Sequence, residues 1–516
     1  MSTTPLAAEH LPGFGGFNAL SHRDQRLAGT GIYTDTQFTL EPPDQALCVG
    51  GGKVVEAVNN GLRVFDTSGT ARTAPIALSQ FLVLKPEVIR SDPPVFGDFI
   101  SDPKCYFDTA TARWFLTEAQ IDLDPATGDF GSHSHVVIAV SQTADPTGTW
   151  SIFLLDTTDD GTNGTPRHAG CPCFGDQPLI GADANGFYVS TNEFTLSNFA
   201  FNGAQVYALS KTGLESGTKS ALVRAVHIDA GPMLLAAGGL AFSVQPATTP
   251  AGHFEVANNG TEYFVSALDF GAGPALGTRA TGLAVWALTN TASLSTARPA
   301  VSLSNVVIES ELYAQPPNAA QRRGPTPLGD LVHSPLELLA GNDDRLNQVV
   351  FAAGHLWAAL NTAVKQPNGA TVVGIAYFVV APSDPAGTLS ATVTRQGYVA
   401  VDGANLLYPS IGVTDAGKAV MAFSLVGPDL FPSAAYVPID LASGAGAVRI
   451  SGAGALPDDG FSGYRAFGFD GVGRWGDYSA AVADASGTIW MANEYIPNAP
   501  RTLLANWGTF ISHVTP

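Results

Sequence analysis

Three features of the sequence predict an all-β fold, specifically a seven-bladed β-propeller. The chain is rich in turn formers, it lacks long amphipathic helical periodicity, and one type of hairpin recurs along its length. Of 516 residues, 56 are Gly and 35 are Pro, and only 14% are charged. That leaves few of the Lys, Glu and Arg that cover exposed helix faces. Short runs of Val, Ile, Phe, Tyr and Thr lie between turn signals instead, as in all-β chains. The length would suit several small domains, but barrels and propellers commonly use this much chain as one unit.

The recurring hairpin begins at a polar or Tyr anchor, often beside Pro. A short apolar strand, a turn with Asp, Asn or Gly, and a second apolar strand follow. In chain order the copies are Asp44-QALCVGGGKVVEAVN, Asp102-PKCYFDTATARWFLTE and Asp176-QPLIGADANGFYVSTN, then a degraded copy at Gln245-PATTP that rejoins at Glu262–Leu268. Arg345-LNQVVFAAGHLWAALN, Tyr408-PSIGVTDAGKAVMAFS and Asp477-YSAAVADASGTIWMAN complete the series. The anchors are 58 to 100 residues apart. A four-stranded blade needs roughly 40–50 residues, more with long loops. Each copy reads as the inner hairpin of one blade, and segments such as SHVVIAVSQ supply outer strands. A set of β-sandwiches would not repeat one hairpin type so evenly.

Residues 1–39 read as an N-terminal extension that partly closes the ring, and 40–516 as the propeller. Sharing the last blade between the two ends, with TLLANWGTFISHV as the closing strand, removes exposed edges. The Pro-rich insert from Gln315 to Asp344 reads as an irregular loop on one face.

Acidic residues outnumber basic ones by 45 to 25, a net charge of −20. Such a field repels phosphate backbones and anionic lipid, so nucleic-acid and membrane partners are not expected. No run is long enough to span a bilayer as a helix. The first twenty residues lack the basic start and apolar core of a leader. The composition suits an exported, secreted or periplasmic monomer whose leader has been removed. Four cysteines, Cys48, Cys105, Cys171 and Cys173, allow two disulfides in three pairings. Free thiols, or a soft metal on His168, Cys171 and Cys173, are the alternatives. Cys48 and Cys105 follow neighbouring anchors, so they are the expected pair, whereas Cys171 and Cys173 are too close in sequence to join without strain.

If each anchor opens an innermost strand, Asp44, Asp102, Asp176, Tyr408 and Asp477 converge at one mouth of the central channel. Converging carboxylates raise one another's pKa and favour a cation. Asp44, Asp102, Asp176 and Asp477 are therefore candidate ligands for a Ca²⁺-like ion, which takes six or more oxygens. The competing reading has each Asp cap its own turn. Arg474, Tyr478, Arg465, Trp475 and Glu494 lie near the last anchor, and Asn192 and Glu193 follow the third. A catalytic set of Asp176, Tyr408, Arg474, Asp477 and Tyr478, with Arg465, Trp475 and Glu193 binding substrate, would suit a carboxylated sugar. Arg grips the carboxylate two-pronged, Tyr moves a proton, and two carboxyls act on the glycosidic bond. His133 and His135 share one strand face, a pattern more common on solvated strands than at metal sites. Dinucleotide, P-loop, HExxH and GxSxG motifs are missing.

The segments PPDQALCVGGGKVVEAVN, DPKCYFDTATARWFL, AVSQTADPTGTW, GDQPLIGADANGFYVSTNEF, YPSIGVTDAGKAVMAFS and RWGDYSAAVADASGTIWMANEY resemble a large group of exported bacterial propeller proteins. These are sialidase-like and mostly without an assigned activity, and the likeness covers most of residues 40–500. The turns Asp183–Gly186, Asp415–Gly417 and Asp484–Trp490 are similar to the Asp-box of sialidases, a structural turn, though two carry an extra residue. The resemblance implies a carbohydrate-active propeller, a hydrolase or lyase acting on a glycan at the channel mouth. A non-catalytic propeller that binds glycan or protein on its face is the alternative.

Overall fold

The computed structural model describes residues 3–217, 224–270, 278–334 and 338–516. Its strands form antiparallel meanders, in which each strand pairs with the next. The first runs through Ala46–Gly50, Lys53–Val58, Gly61–Asp66 and Ile76–Ala77. The second comprises Asp98–Asp108, Arg113–Leu123, Phe130–Ser141 and Trp150–Asp156, and the third Cys173–Ala182, Gly186–Thr195, Phe201–Ser210 and Val226–Asp229. The fourth (Gln245–Thr248, Thr261–Ala267, Arg279–Thr289, Ser302–Ala314) and the fifth (Val349–Ala352, His355–Lys365, Thr371–Ser383, Ser390–Val399) form one eight-stranded sheet. They join there because Ala247 and Thr248 pair in parallel with Val349 and Val350. The sixth runs Asn405–Val413, Ala419–Gly427 and Leu430–Asp440, with two short outer strands. In the last, Ala480–Ala483, Ile489–Tyr495 and Gly508–Val514 are completed by Gly15–Ser21 from the other end of the chain.

The first strands of successive meanders pack side by side, and Ala480–Ala483 of the last packs against Ala46–Gly50 of the first. That closes a ring, the arrangement of a β-propeller. The second strands are sandwiched between neighbouring sheets, so both faces are largely buried. Every residue of Ala419–Gly427 is buried. The core lies between sheets: Trp357, Ile375 and Val379 of the fifth meander pack on Ile411, Met421 and Phe423 of the sixth. Among the described residues the α-helices are short, the longest being Lys211–Ser216.

Asp44, Gln245, Arg345 and Asp477 lie at or just before the start of a first strand, whereas Asp102, Asp176 and Tyr408 lie three or four residues inside one. Several of these strands carry a bulge there. The register skips between Ser101 and Lys104, between Asp176 and Leu179, and between Leu407 and Ser410. Asp102, Gln177 and Tyr408 adopt left-handed φ of 62°, 47° and 57°, each followed by Pro, and Asp44 and Ser243 do likewise at 52° and 46°. A bulge re-aims side chains, here bringing Asp102, Asp176 and Gln177 to one cavity. Asparagines at the ends of second strands hold these bends across the sheet boundary. Asn59, Asn192 and Asn361 accept the backbone N–H of Asp102, Ser243 and Tyr408 at 3.0, 2.7 and 3.0 Å.

At the opposite strand ends the turns cap themselves. Asp183 Oδ1 accepts from the N–H of Asn185 and Gly186, and Asp484 Oδ1 from those of Ser486 and Thr488. The insert after Gln315 is less irregular than expected. Ala319–Ala320 pairs with Leu338–Leu339, which pairs in parallel with Val472–Gly473; residues 335–337 of it lie outside the described residues.

Cys48 and Cys105 form a disulfide with Cα atoms 5.3 Å apart, tying the first strands of adjacent meanders. Contrary to the expectation from their spacing, Cys171 and Cys173 also pair, with Cα atoms 4.5 Å apart. The one intervening residue, Pro172, follows a cis peptide bond. This pairing removes both thiols from the soft-metal alternative.

Candidate functional site

The bulged strand starts bring carboxylates from four meanders to one mouth. Asp44, Asp102 and Asp477 have carboxylate oxygens within 4.8 Å of one another. Asp44 Oδ2 accepts from Asn59 Nδ2 at 2.9 Å, and Oδ1 from the Asp477 N–H at 2.8 Å. Asp102 Oδ2 accepts from Ser101 Oγ at 3.0 Å. Asp477 forms an ion pair with Arg474. Asp176 lines the same cavity, of about 400 Å³, together with Gln177, Arg345 and the rings of Phe99, Phe130 and Phe174. Arg345 is gripped by Asp343 through Nε and Nη2 and donates through Nη1 to Gln177 Oε1. A wider cleft of about 790 Å³ shares Asn342, Arg345 and Arg474 with this cavity and is walled by Phe194, Phe201, Phe242, Phe270 and Phe469.

Burial, and then the charges of Asp477 and Asp102, push the Asp44 carboxyl well above the usual carboxylate range. Asp102 rises for the same reasons, with Asp477 the main neighbouring charge. Asp176 is raised to about 7 by burial and by Asp102, with Arg345 opposing. Beneath the cluster Lys104 Nζ sits over the Tyr478 ring. Burial lowers its ammonium to about 7 against the pull of Asp102, Asp44 and Asp477. The mouth therefore combines a carboxyl that is half-protonated near neutrality with a second carboxylate held by arginine. Such a pair can donate and accept protons across a bound bond.

Several expected site residues do not reach this mouth. Tyr408 is buried and its hydroxyl donates to the Ala340 carbonyl at 3.1 Å. Tyr478 is buried and donates to the Pro103 carbonyl at 2.8 Å. Both phenols are spent on the backbone, so neither is placed to shuttle a proton. Trp475 is buried in an apolar cluster with Trp507 and Ile496, away from any sugar face. Glu193 belongs to a separate group with His168. Arg465 is exposed on a short 3₁₀ turn and lines neither cavity. His133 is exposed, and His135 Nδ1 bonds to Gln120, so they form no pair. Asp176 stands outside the three-carboxylate group that could share an ion. Each Asp44 oxygen accepts one N–H bond and Arg474 pairs with Asp477, so a Ca²⁺-like ion, which takes six to eight oxygens, would draw on the remaining lone pairs of the three carboxylates and on further oxygen ligands.

Arg345, Gln177, Lys104 and Asn59 were missed as site residues. Arg345 opens a repeat copy and Asn59 closes one, so position within the repeat was the available signal. Lys104 follows the Asp102-Pro103 bulge, a position whose side-chain direction only the bulge fixes.

No protein-family profile matches this chain, and no curated protein does. Among solved structures, a mutant Trypanosoma rangeli sialidase displaying trans-sialidase activity is 9% identical with a TM-score of 0.35, covering 91% of this chain and 59% of that one. An exo-1,5-α-L-arabinanase from a bovine ruminal metagenomic library is 9% identical with a TM-score of 0.32, covering 79% and 95%. An exo-β-1,3-galactanase from Clostridium thermocellum is 10% identical with a TM-score of 0.30, covering 95% and 96%.

Proposed function

We propose that this protein is a seven-bladed propeller, the eight-stranded sheet counting as two blades, that hydrolyses a glycan at the Asp-lined mouth in an oxidising, extracytoplasmic compartment. Two disulfides support the compartment. The observation that carries the function is the pairing of Asp176, raised to about 7, with Asp477 in one aromatic-walled cavity. Asp176 acts as the general acid on the leaving oxygen. Asp477, oriented by Arg474, acts as the second carboxylate. The phenyl rings offer faces for sugar C–H groups, and Arg345 and Arg474 suit a sugar that carries a carboxylate. Lys104 lies below the carboxylates and offsets their charge.

The test is incubation with neutral and uronic-acid polysaccharides, with new reducing ends as the readout. Wild type releases product, and Asp176→Asn or Asp477→Asn lowers the rate about 10²–10⁴-fold. Unsaturated, ultraviolet-absorbing products would replace hydrolysis by lyase chemistry. A second reading, binding without turnover, is favoured by the locked hydroxyls of Tyr408 and Tyr478 and by the paired oxygens of Asp44. It predicts glycan binding with no product, unchanged in Asp176→Asn.

A further inference from the structure

Away from the mouth, the loop from the second meander to the third folds back and sets Asp159 against the third sheet. Asp159 is 0% exposed and holds a left-handed φ of 48°. Its carboxylate faces His168 from the same loop, Glu193 at the end of Gly186–Thr195, and His227 on the outer strand Val226–Asp229. His168 Nδ1 is 2.9 Å from Glu193 Oε2 and 3.8 Å from Asp159 Oδ2. His227 Nδ1 is 3.8 Å from Asp159 Oδ1. The ligand atoms of Asp159, His168 and Glu193 all lie within 4.8 Å of one another. Ligands about 2 Å from a tetrahedral ion sit roughly 3.4 Å apart, so these three need little movement to close on one, while His227 stands outside the group and meets it through Asp159 Oδ1 at 3.8 Å.

Two buried atoms at the centre, Asp159 Oδ1 and His227 Nδ1, have no hydrogen-bond partner. A fully buried, partly unpaired carboxylate beside a second one is costly unless a cation joins them. The surroundings satisfy both Glu193 oxygens and Asp159 Oδ2 and leave Asp159 Oδ1 and His227 Nδ1 without partners. Asn202 Nδ2 donates to Glu193 Oε1, and the Tyr207 hydroxyl is 3.5 Å from Asp159 Oδ2. His168 and His227 keep 15% and 22% side-chain exposure, which leaves an entry path.

We propose that Asp159, His168, Glu193 and His227 form a binding site for a transition-metal dication of the Zn²⁺ type. Two imidazoles with two carboxylates select such an ion over Ca²⁺, which prefers oxygen alone. The neighbouring Cys171–Cys173 disulfide and Pro172 fix the loop that presents His168. The site is independent of chemistry at the mouth.

The experiment is titration of chelator-stripped protein with Co²⁺, followed by visible absorption and by the thermal shift on adding Zn²⁺. One Co²⁺ per chain with d–d bands is expected, displaced by Zn²⁺, together with a Zn²⁺-dependent rise in melting temperature. His168→Gln loses both the bands and the rise. His227→Gln, on the outer strand, keeps the fold should His168→Gln lose it, and it also loses the bands. Asp176→Asn at the mouth leaves them unchanged. Absence of bands in wild type, bands that survive both histidine changes, or bands that vanish with Asp176→Asn would each overturn the site.

Discussion

Asn59, Asn192 and Asn361 occupy the same place in three repeat copies and serve one purpose: each side chain satisfies a backbone N–H at a left-handed bend of the next sheet. Asn192 also donates to Ser243 Oγ at 3.0 Å. Both groups are buried, so Asn192→Ala leaves two unsatisfied partners and should cost about 1–3 kcal/mol. Chemical denaturation measures this, and an unchanged midpoint would show that water replaces the amide. Asp484 is the contrasting case. Its carboxylate caps its own turn and accepts from the Trp490 indole at 3.0 Å. Asp484→Ala should lower stability by roughly 0.5–2 kcal/mol, by analogy with lost caps, and leave any activity at the mouth intact. The turn role of Asp183 and Asp484 was legible in the sequence because Asp followed by Gly at that spacing is local chemistry. The fate of the Tyr408 and Tyr478 hydroxyls was not. Repeat position places a residue on the first strand, but the bulge decides whether its side chain meets the cavity or a backbone carbonyl.

At the scale of elements, the first strands do most of the work. They were legible as anchors because each begins with a turn-forming residue, often beside Pro. The expected Cys48–Cys105 link followed from the same reasoning, since both cysteines sit just past neighbouring anchors. It spans 57 residues, and closing a loop of that size stabilises a fold by about 4 kcal/mol in the chain-entropy account. Cys48→Ala with Cys105→Ala should lower the unfolding free energy by that amount. A change below about 0.5 kcal/mol would mean that the inter-sheet core alone sets the spacing. The Cys171–Cys173 pair was misjudged because sequence separation says nothing of the backbone at Pro172. Glu193 was misplaced for a related reason. The loop that carries Asp159 and His168 to it joins two meanders, and no local pattern shows where such a loop lands.

Over the whole molecule, buried titratable groups set the pH dependence of stability. Burial raises Glu56 to about 7 and Glu87 to about 8. A carboxyl raised on folding contributes stability that is complete below its ordinary value near 4.5 and is lost as pH rises through 7 to 8. His22 acts in the opposite direction. Burial lowers it to about 3, so its contribution holds above its ordinary value of 6.5 and falls away toward acid. The melting temperature should therefore be higher near about pH 5.5 than near about pH 8.5. Glu87→Gln should narrow the gap, and a higher melting temperature at the alkaline end would refute this reading.

The ring as a whole was legible in the repeat, because a hairpin of one type at near-even spacing through the chain suits a closed circle of blades and little else. The chemistry of the mouth was only half legible. The carboxylates came from the anchors, but Arg345, Gln177 and Lys104 matter through which neighbours they meet. Leaving-group dependence of glycoside cleavage tests the central claim most directly. Wild type and Asp176→Asn are compared on an aryl glycoside with an acidic dinitrophenol leaving group and on the same sugar with a poor, alkyl leaving group. If Asp176 is the general acid, the variant retains most of its rate on the first and loses about 10²–10⁴-fold on the second. The wild-type rate on the alkyl glycoside should also fall as pH rises through about 7, because the acid must be protonated. Equal losses on both substrates, or no cleavage of either by folded wild type, would contradict the account.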